Sequence, residues 1–461
     1  MLDALKGLRV AILGFGREGQ ASHRVLQSHG LTPPPVVWTE SGPRVDLPDA
    51  LRAPFDEGLA AFDAVIRSPG IRDRHPALVA YQQMGGRVIN PSSIWFAERP
   101  EVPVIAVTGS KGKSTTASLV GHLLHAADQR VAVAGNIGQP LIGLLDQPDS
   151  ERLDWVVAEL SSYQLTDLVG QVRLGVVTRL FPEHIDWHGD VEHYYAAKAR
   201  LFELTRPNSV LVNSQDAVLM EAYGAHDNLK ACHPTRAQSA GDITHNGATI
   251  GAAIGAAIGR GSEAWIGTEA FALPGRHNLD NAVMALTALA ELGFDAKKVS
   301  QSLTAFRPLA HRLEQVHQSP QATWINDSIA TTPHATRAAL ESLLDRDVVL
   351  IVGGHDRGGD WSVVIDHLKA HPIQAVVALP DSGEAITETL IEAGAVPAER
   401  CVQAADMRQA ISQADAWVKA LDESGHAVVL LSPGAPSFGH YQDFEDRGRQ
   451  FGDAVKAHCS R

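Results

Sequence analysis

Short apolar runs recur along this chain, and turn residues separate each run from a stretch whose apolar positions follow helical spacing. Valine, isoleucine and leucine dominate the runs, as expected of strands that are buried on both faces. Strands that alternate with helices predict parallel sheets with crossover connections, so the chain is predicted to be α/β. The predicted strands lie at residues 8–13, 36–38, 64–67, 104–107, 131–133, 155–159, 174–178, 209–213, 324–327, 348–352, 375–379 and 427–431.

Two proline-containing segments, at residues 98–103 and 306–309, divide this pattern into three parts. Because 461 residues exceed what one hydrophobic core usually serves, we predict three domains in series. These are a Rossmann-like N-terminal domain over residues 1–98, a central domain with a P-loop ATPase-like parallel sheet over 99–308, and a C-terminal Rossmann-like α/β domain over 309–461. The Ala-, Gly- and Ile-rich residues 247–261 carry no predicted element.

The composition is that of a globular protein, with 44% apolar and 20% charged residues. We expect a cytoplasmic protein without membrane insertion, because no apolar span of about 18 residues and no signal peptide are evident. The net charge of −14 opposes a broad nucleic-acid surface but allows an anionic small molecule that is held locally. Cys232, Cys401 and Cys459 lie far apart and predict neither a disulfide framework nor a cysteine zinc site.

The strongest chemical signal follows the run at residues 104–107. The next residues are Thr108-Gly109-Ser110-Lys111-Gly112-Lys113-Ser114-Thr115. A helical pattern over 116–127 comes directly after them. Glycines let backbone N–H groups turn toward an anion, a lysine adds positive charge, and a serine hydroxyl can bind Mg²⁺. Although Val107 stands where the general pattern has its first glycine, this loop between a strand and a helix predicts a phosphate-binding site.

A second glycine pattern lies near the start of the chain. The run at residues 8–13 is followed by Gly14-Phe15-Gly16-Arg17-Glu18-Gly19. A strand, a GxGxxG turn and a helix hold a diphosphate at the helix N-terminus, which fits either NAD or a nucleotide sugar. The run at 64–67 ends in the turn Ser68-Pro69-Gly70, at a strand end where ligands of open α/β sheets bind.

Polar residues also follow two other strands of the central predicted sheet. Glu159 ends the run at 155–159, as the acid of a Walker B element does, and could bind Mg²⁺ together with Ser114. His184 follows the run at 174–178 and would lie at the same sheet edge. Lys198, judged by its neighbours alone, fits an ordinary solvated helix lysine.

These motifs resemble, in order, the signature segments of the Mur ligases. The matching segments are residues 108–114, 135–138, 159–164, 183–188, 197–198, 275–278, 311–314, 326–328 and 431–438. The match covers nearly the whole chain, and the turn at 68–70 resembles the MurD branch, which adds glutamate to UDP-N-acetylmuramoyl-L-alanine. The resemblance implies an ATP-dependent ligase of peptidoglycan synthesis, and hence a role in cell wall biogenesis, cell shape and the cell division cycle.

The resemblance also implies roles for individual residues. The catalytic residues would be Lys113, His184 and Lys198. ATP would contact Gly109, Ser110, Lys111, Gly112, Lys113, Ser114, Thr115, Asn278, Arg312 and Asp327. The UDP-sugar would contact Gly14, Phe15, Gly16, Arg17, Glu18, Ser68, Gly70, Asn136 and Ser161. Two Mg²⁺ ions would bind Ser114, Glu159, His184 and a carbamylated Lys198.

The implied glutamate site departs from the pattern of the family. Thr331, Arg357, Ser437, Phe438 and Phe444 fall at its glutamate-binding positions. However, Ile329 stands where the MurD branch usually has a lysine, and Arg357 replaces a second lysine. Because Arg and Lys bind carboxylates with different geometry, we favour a branch that adds L-glutamate and leaves inversion to a separate epimerase. Addition of D-glutamate by an altered pocket stays open as the alternative.

Three other functions compete with this interpretation. Folylpolyglutamate synthetases share the central segments but lack a UDP-binding first domain of this kind. An NAD-dependent oxidoreductase would use the first domain but leave the phosphate loop, Glu159 and His184 unexplained. A non-catalytic nucleotide-binding protein would not need Lys113, Glu159, His184 and Lys198 together. We expect a monomer, and the sequence assigns no role to His355 or Asp356.

Overall fold

The computed structural model describes all residues except 40–50, 148–152, 228, 233–249, 253–256, 261–262, 268–269, 272, 274–275, 308–309, 345, 356–358, 422–425, 438 and 461. The chain forms two compact units, Met1–Phe306 and Arg307–Arg461. The domain boundaries at residues 98 and 308 stay predictions. In the part of the chain that the structure describes, no helix is long and apolar enough to cross a membrane.

The first unit begins with a five-stranded parallel sheet. Its strands are β1 (Val10–Leu13), β2 (Val36–Thr39), β3 (Leu51–Arg52), β4 (Ala64–Arg67) and β5 (Arg87–Ile89), in the order β3-β2-β1-β4-β5. Its helices are α1 (Arg17–Ser28), α2 (Pro76–Gln83) and α3 (Pro91–Glu98), with 3-10 helices at Asp3–Leu5 and Glu57–Ala61. Val10 and Ile12 belong to one apolar cluster, and Ala11 and Leu13 to another. Burial on both faces therefore explains why β1 is continuously apolar.

A six-stranded parallel sheet follows in the same unit. Its strands are β6 (Val104–Thr108), β7 (Val131–Gly135), β8 (Trp155–Glu159), β9 (Leu174–Val177), β10 (Val210–Asn213) and β11 (Leu229–Cys232), in the order β11-β10-β9-β6-β8-β7. Its helices are α4 (Lys113–Ala126), α5 (Ser162–Leu165), α6 (Ile185–His188), α7 (Val191–Leu204), α8 (Ala217–Tyr223), α9 (Arg276–Glu291) and α10 (Ala296–Ser300), with 3-10 helices at Leu141–Asp146 and Gln301–Ala305. β6, β8 and β9 are adjacent, so their carboxyl ends bring three sequence motifs to one edge.

A small antiparallel sheet in the first unit was not predicted. It consists of β12 (Ile250–Ala252), β13 (Ala257–Arg260) and β14 (Glu263–Gly267), paired in that order. Its first two strands fall largely in the Ala- and Gly-rich segment 247–261. Small residues give little alternation of apolar and polar positions, which explains why the sequence pattern missed them.

The second unit is built on one six-stranded mixed sheet. Its strands are β15 (Glu314–Gln318), β16 (Ala322–Asn326), β17 (Asp347–Val352), β18 (Ala375–Ala378), β19 (Cys401–Gln403) and β20 (Ala427–Leu431), in the order β15-β16-β20-β17-β18-β19. Only the β15–β16 pair is antiparallel. The helices are α11 (Pro333–Glu341), α12 (Ser362–Ala370), α13 (Gly383–Glu392), α14 (Met407–Lys419) and α15 (Phe444–Cys459), with a 3-10 helix at Ala398–Arg400. The α/β class predicted from the sequence is confirmed, whereas the two edge strands of this sheet, β15 and β19, were not predicted.

Candidate functional site

The loop between β6 and α4 turns at Gly109, whose φ is 139°. A Cβ atom at this position would lie 2.2 Å from Thr178 Oγ1 and 2.9 Å from the carbonyl oxygen of Arg179. Glycine therefore allows the loop to lie against the end of β9. α4 begins at residue 113 rather than at the predicted residue 116. Residues 113–115 thus occupy the first helical turn, whose N–H groups can bind an anion.

Polar side chains fix the conformation of this loop. Lys113 Nζ donates a hydrogen bond to the Ser110 carbonyl oxygen at 2.8 Å, so the ammonium group lies over the loop. Ser110 Oγ lies 2.8 Å from the hydroxyl oxygen of Tyr194 on α7. Lys111 Nζ lies 3.7 Å from Glu183 Oε1. The loop is therefore held in place by the segment after β9 and by α7.

Glu159 ends β8 directly beside the phosphate loop. Its neighbour in the sheet is Val107 of β6, two residues before Gly109. Asn136 Nδ2 donates a hydrogen bond to Glu159 Oε1 at 2.9 Å. Glu159 Oε2 is buried without a hydrogen-bond partner. Because a buried carboxylate oxygen without a partner is costly, Glu159 is suited to bind a cation.

The oxygen atoms of this site suit Mg²⁺, which needs few protein ligands, better than they suit a metal that is coordinated entirely by protein side chains. Mg²⁺ prefers oxygen ligands and commonly takes only one or two from protein, with phosphate and water completing its coordination. Glu159 Oε2 and the Ser114 hydroxyl, in the first turn of α4, are oxygen ligands of this kind. The described residues contain no group of three or more His, Cys, Asp or Glu side chains that could hold a metal.

Lys198 on α7 is buried, which contradicts the alternative that it is a solvated helix lysine. Its Nζ donates a hydrogen bond to the Gly109 carbonyl oxygen at 2.8 Å and lies 4.8 Å from the centroid of the Tyr194 ring. Burial, together with the charge of Lys113, holds the pKa of Lys198 well below its usual value. The side chain thus has an increased tendency to be a neutral amine at the phosphate loop.

His184 belongs to an aromatic cluster that the sequence did not predict. The residue has a φ of 57° and precedes α6. Its ring centroid lies 5.0 Å from that of Tyr163, and Tyr163 stacks on Trp187 at 4.4 Å. His188 Nε2 lies 2.9 Å from Ser162 Oγ. The spacing of His184, Trp187 and His188 by three and four residues was the available signal for this cluster.

The glycine turn after β1 is linked to the central sheet by Glu18. Gln164 Nε2 donates a hydrogen bond to Glu18 Oε1 at 2.7 Å, while Gln164 Oε1 accepts one from Ser161 Oγ at 3.0 Å. Glu18 Oε2 is buried without a hydrogen-bond partner. Burial raises the pKa of Glu18 to about 7, against the effects of Gln164 and of Arg17. Two predicted UDP-sugar contacts, Glu18 and Ser161, are thus connected through one glutamine.

The remaining UDP-sugar candidates of the first sheet lie around the same turn. Gly14, Phe15, Gly16 and Arg17 form the end of β1 and the start of α1. Ser68 Oγ donates a hydrogen bond to the Gly14 carbonyl oxygen at 3.1 Å. The Gly70 carbonyl oxygen accepts a hydrogen bond from Trp187 Nε1 at 3.2 Å. The first-sheet turns and the central-sheet segment 183–188 are therefore in contact.

Asn281 is a further residue near the phosphate loop that the sequence did not single out. Its Nδ2 lies 3.4 Å from Oδ1 of Asn278, a buried candidate for ATP binding. A Cβ atom at Gly112 would lie 2.6 Å from Asn281 Oδ1, so the amide contacts the loop. A spacing of three residues on α9 places both asparagines on one helix face.

The other candidates lie in the second unit. Asp327 follows β16, and its carboxylate accepts hydrogen bonds from the Leu313 amide at 3.2 Å and from Ser432 Oγ at 2.9 Å. Arg312 directly precedes Leu313, so the two predicted ATP contacts of this unit belong to neighbouring segments. Thr331 is half-buried in the loop after β16.

Two of the remaining glutamate candidates are described by the structure. Ser437 is buried in the loop after β20, and Phe444 begins α15. The Phe444 carbonyl oxygen accepts a hydrogen bond from Ser328 Oγ at 2.8 Å, which connects α15 to the loop after β16. Arg357 and Phe438 lie outside the described residues, as does Asp356.

Comparison with known families identifies two regions of this chain. Residues 107–289 match the Mur ligase middle domain. Residues 311–434 match the Mur ligase, glutamate ligase domain. The first match contains the phosphate loop, Glu159, His184 and Lys198. The second contains the loops after β16 and β17 and ends at residue 434, within the loop after β20.

Similar proteins match over nearly the full length. A UDP-N-acetylmuramoyl-L-alanine--L-glutamate ligase of Xanthomonas euvesicatoria is 38% identical, over 98% of this chain and 95% of that protein. A ligase of the same name from a Micromonospora species is 37% identical, over 99% and 98%. The structure of UDP-N-acetylmuramate-alanine ligase MurC from Thermotoga maritima has a TM-score of 0.58 at 19% identity, over 98% and 100%. MurF ligase from the same organism, in complex with ADP, has a TM-score of 0.55 at 13% identity, over 99% and 97%. Both structures share the fold, and the identity to the first two proteins shows that this chain belongs to the Mur ligase family.

Proposed function

We propose that this chain joins glutamate, with L-glutamate favoured, to UDP-N-acetylmuramoyl-L-alanine in an ATP-dependent step of peptidoglycan synthesis. One observation carries the proposal: Glu159 and Lys198 both lie beside the phosphate loop. Glu159 ends β8, next to β6, and Lys198 on α7 donates a hydrogen bond to the Gly109 carbonyl oxygen. An anion-binding loop, a buried acid and a buried lysine are groups that phosphoryl transfer requires and that simple nucleotide storage does not. The names of the two full-length relatives support the choice of acceptor and amino acid.

The reaction has two chemical steps. A carboxylate oxygen of the alanyl group attacks the γ-phosphorus of ATP, the bond to ADP breaks, and an acyl phosphate forms. The glutamate amine then attacks the acyl carbon, loses a proton and expels inorganic phosphate, which leaves an amide. In both steps negative charge develops on phosphate oxygens, so positioning and electrostatic stabilisation provide most of the catalysis.

Residues of this chain divide that work. Lys113 and the N–H groups of the first turn of α4 bind the transferring phosphoryl group. Asn136 and Ser161 orient the muramoyl-alanine part, and the turn at residues 14–18 with Ser68 and Gly70 binds the UDP part at the N-terminus of α1. Asn278, Arg312 and Asp327 contact ATP.

Mg²⁺ belongs to the proposal. Ser114 and Glu159 would hold one ion and His184 and Lys198 a second, and bound Mg²⁺ would neutralise charge on the phosphate oxygens. An ammonium group cannot bind a cation, so Lys198 would serve only after its neutral amine has added CO₂ and released a proton to solvent, which leaves a carbamate anion. The lowered pKa of Lys198 supports this modification, because the neutral amine is the reactive form.

The choice of L-glutamate rests on the sequences of the loops after β16 and β17 and on the names of the two similar ligases. Ile329 stands in the loop after β16 where the MurD branch usually has a lysine, so this loop has one cation less. At position 357 an arginine replaces a second lysine, and a guanidinium binds a carboxylate with a forked geometry that lysine lacks. A cytoplasmic location, a monomeric state and a separate epimerase that acts on the product are parts of the same proposal.

The decisive experiment measures ADP release with UDP-N-acetylmuramoyl-L-alanine, Mg²⁺ and ATP, in parallel with L-glutamate and D-glutamate. We expect turnover with L-glutamate and a product whose mass and chirality match the L-glutamyl amide. Turnover with D-glutamate alone would refute the stereochemical part and keep the ligase. No turnover with either would refute the proposed acceptor or amino acid. Lys113→Ala should lose activity, whereas Lys6→Ala, which removes an exposed lysine of the same unit, should retain it.

A further inference from the structure

Arg447 on α15 is a fully buried cation with an unusual set of partners. Its Nε donates a hydrogen bond to Ser328 Oγ at 3.0 Å, and its Nη2 donates one to the Ser328 carbonyl oxygen at 2.9 Å. Its Nη1 donates to the carbonyl oxygens of Ala435 at 3.0 Å and Gly353 at 3.4 Å. Each of these acceptors is a neutral oxygen.

The acceptors belong to three loops that meet at one edge of the sheet. Ser328 follows β16, Gly353 follows β17 and Ala435 follows β20, and these strands are neighbours in the order β16-β20-β17. A Cβ atom at Gly354 would lie 2.8 Å from Arg447 Nη1, so the guanidinium lies tightly against the loop after β17. Ligands of open α/β sheets bind at the carboxyl ends of such strands.

The charge of Arg447 is not balanced by a carboxylate among the described residues. Asp327, the acid next to Ser328, accepts hydrogen bonds from the Leu313 amide and from Ser432 Oγ instead, and the side chain of Asp443 accepts one from the Asp446 amide. Arg67 of the first unit, which is equally buried, shows the usual arrangement, since its Nη2 lies 2.7 Å from Asp167 Oδ1. Burial lowers the pKa of Arg447 only to about 10, so the side chain stays positive at neutral pH.

A buried cation without a counter-ion is costly for folding, and hydrogen bonds to carbonyl groups satisfy its donors without cancelling its charge. The described residues of the three loops, which are 327–332, 353–355, 359–361, 432–437 and 439–443, contain neither Lys nor Arg. Arg447 supplies a fixed positive charge beneath this edge, and in a poorly polarisable surrounding that charge acts over several ångströms.

We propose that Arg447 is a specificity-determining residue whose uncompensated charge attracts a carboxylate of the incoming amino acid to the ends of β16, β17 and β20. The inference rests on the proposed function and deepens it. Arg447 acts from beneath the loops and holds their positions, and it makes the site select glutamate over glutamine, which has the same shape and one negative charge less.

The test compares kcat/KM for glutamate and for glutamine in the full chain. The variants are Arg447→Met, which removes the charge, and Arg447→Lys, which keeps it without the forked geometry. Arg449→Met is the matched control, because Arg449 is an exposed neighbour whose Nη2 lies 3.5 Å from Asp446 Oδ1. KM values for ATP and for the UDP-sugar, together with thermal unfolding, are measured on each variant.

We expect Arg447→Met to reduce the preference for glutamate by about tenfold or more, equivalent to about 1.4 kcal/mol, and Arg447→Lys and Arg449→Met to change it less than about threefold. An equal loss for both amino acids in Arg447→Met would overturn the inference and leave a structural role. If Arg447→Met does not fold, a loss of preference in the folded Arg447→Lys variant would overturn it as well. Failure of the unmodified chain to use glutamate would refute the proposed function itself. The experiment thus distinguishes a failure of the proposed function from a failure of the inference about Arg447.

Discussion

Glu18→Gln tests whether the buried carboxyl group that links the five-stranded and the six-stranded sheets of the first unit carries a proton near neutral pH. Glutamine keeps the length of the side chain and the oxygen that accepts from Gln164 Nε2. It replaces Oε2, which is buried without a hydrogen-bond partner, by an NH₂ group. The buried NH₂ group carries a cost that is the same at every pH, so the informative quantity is the change of the stability difference with pH.

The sign and size of this pH dependence follow from the pKa of Glu18. Burial raises the pKa of Glu18 from 4.5 to about 7, so between these values the folded state holds a proton that the unfolded state has lost. Stability from this group is therefore fully present below pH 4.5 and is lost as the pH rises through 7. At about 1.4 kcal/mol per pKa unit, the loss is on the order of 3 kcal/mol. The free energy of unfolding of Glu18→Gln, relative to wild type, should rise by that amount.

Urea unfolding of the full chain at intervals from pH 4.5 to pH 8, followed by tryptophan fluorescence, measures this difference. The two compact units need not unfold together. Hydrogen exchange of the α1 amides therefore identifies which urea transition is the unfolding of the first unit. Glu57 is exposed and lies in the 3-10 helix Glu57–Ala61 of the first unit. Glu57→Gln therefore serves as the control for loss of a carboxylate charge at the surface. A stability difference between Glu18→Gln and wild type that stays constant across this range would refute the reasoning.

Three further predictions concern the phosphate loop and the first unit. Gly109→Ala should lower the free energy of unfolding of this unit by about 2 kcal/mol or more, because a Cβ atom would lie 2.2 Å from Thr178 Oγ1; an unchanged urea midpoint would contradict this. Glu159→Gln should fold normally and lose about a hundredfold or more in ADP release, whereas a near-normal rate at saturating Mg²⁺ would remove this acid from the mechanism. Arg67→Met should destabilise the first unit by about 2 kcal/mol or more in urea, because Asp167 loses its buried partner; the added change Asp167→Asn should recover part of the loss.

The candidate site was predictable from the sequence where its signals are local. The phosphate loop needs only an apolar strand, two glycines and a Lys-Ser pair within a few residues, and Glu159 needs only its place at a strand end. The parallel sheets followed from the alternation of apolar runs and helical stretches, because burial on both faces makes such strands continuously apolar. The sequence pattern missed the edge strands β3, β5, β11, β15 and β19 and all three strands of the small antiparallel sheet. Among them, β12 is made of small residues and β15 is polar.

Other features depend on residues that are distant in sequence. The sequence around Lys198 fits a surface helix, and only the packing of α7 against Gly109 buries its amine and lowers its pKa. Glu18 receives its hydrogen bond from Gln164, 146 residues away. The sequence by itself thus determined the central strands of the parallel sheets, the phosphate loop and the kinds of side chain at these strand ends. Tertiary structure alone decided which of these groups lost solvent and which gained partners, because protonation and burial are set by contacts between segments that local sequence does not encode.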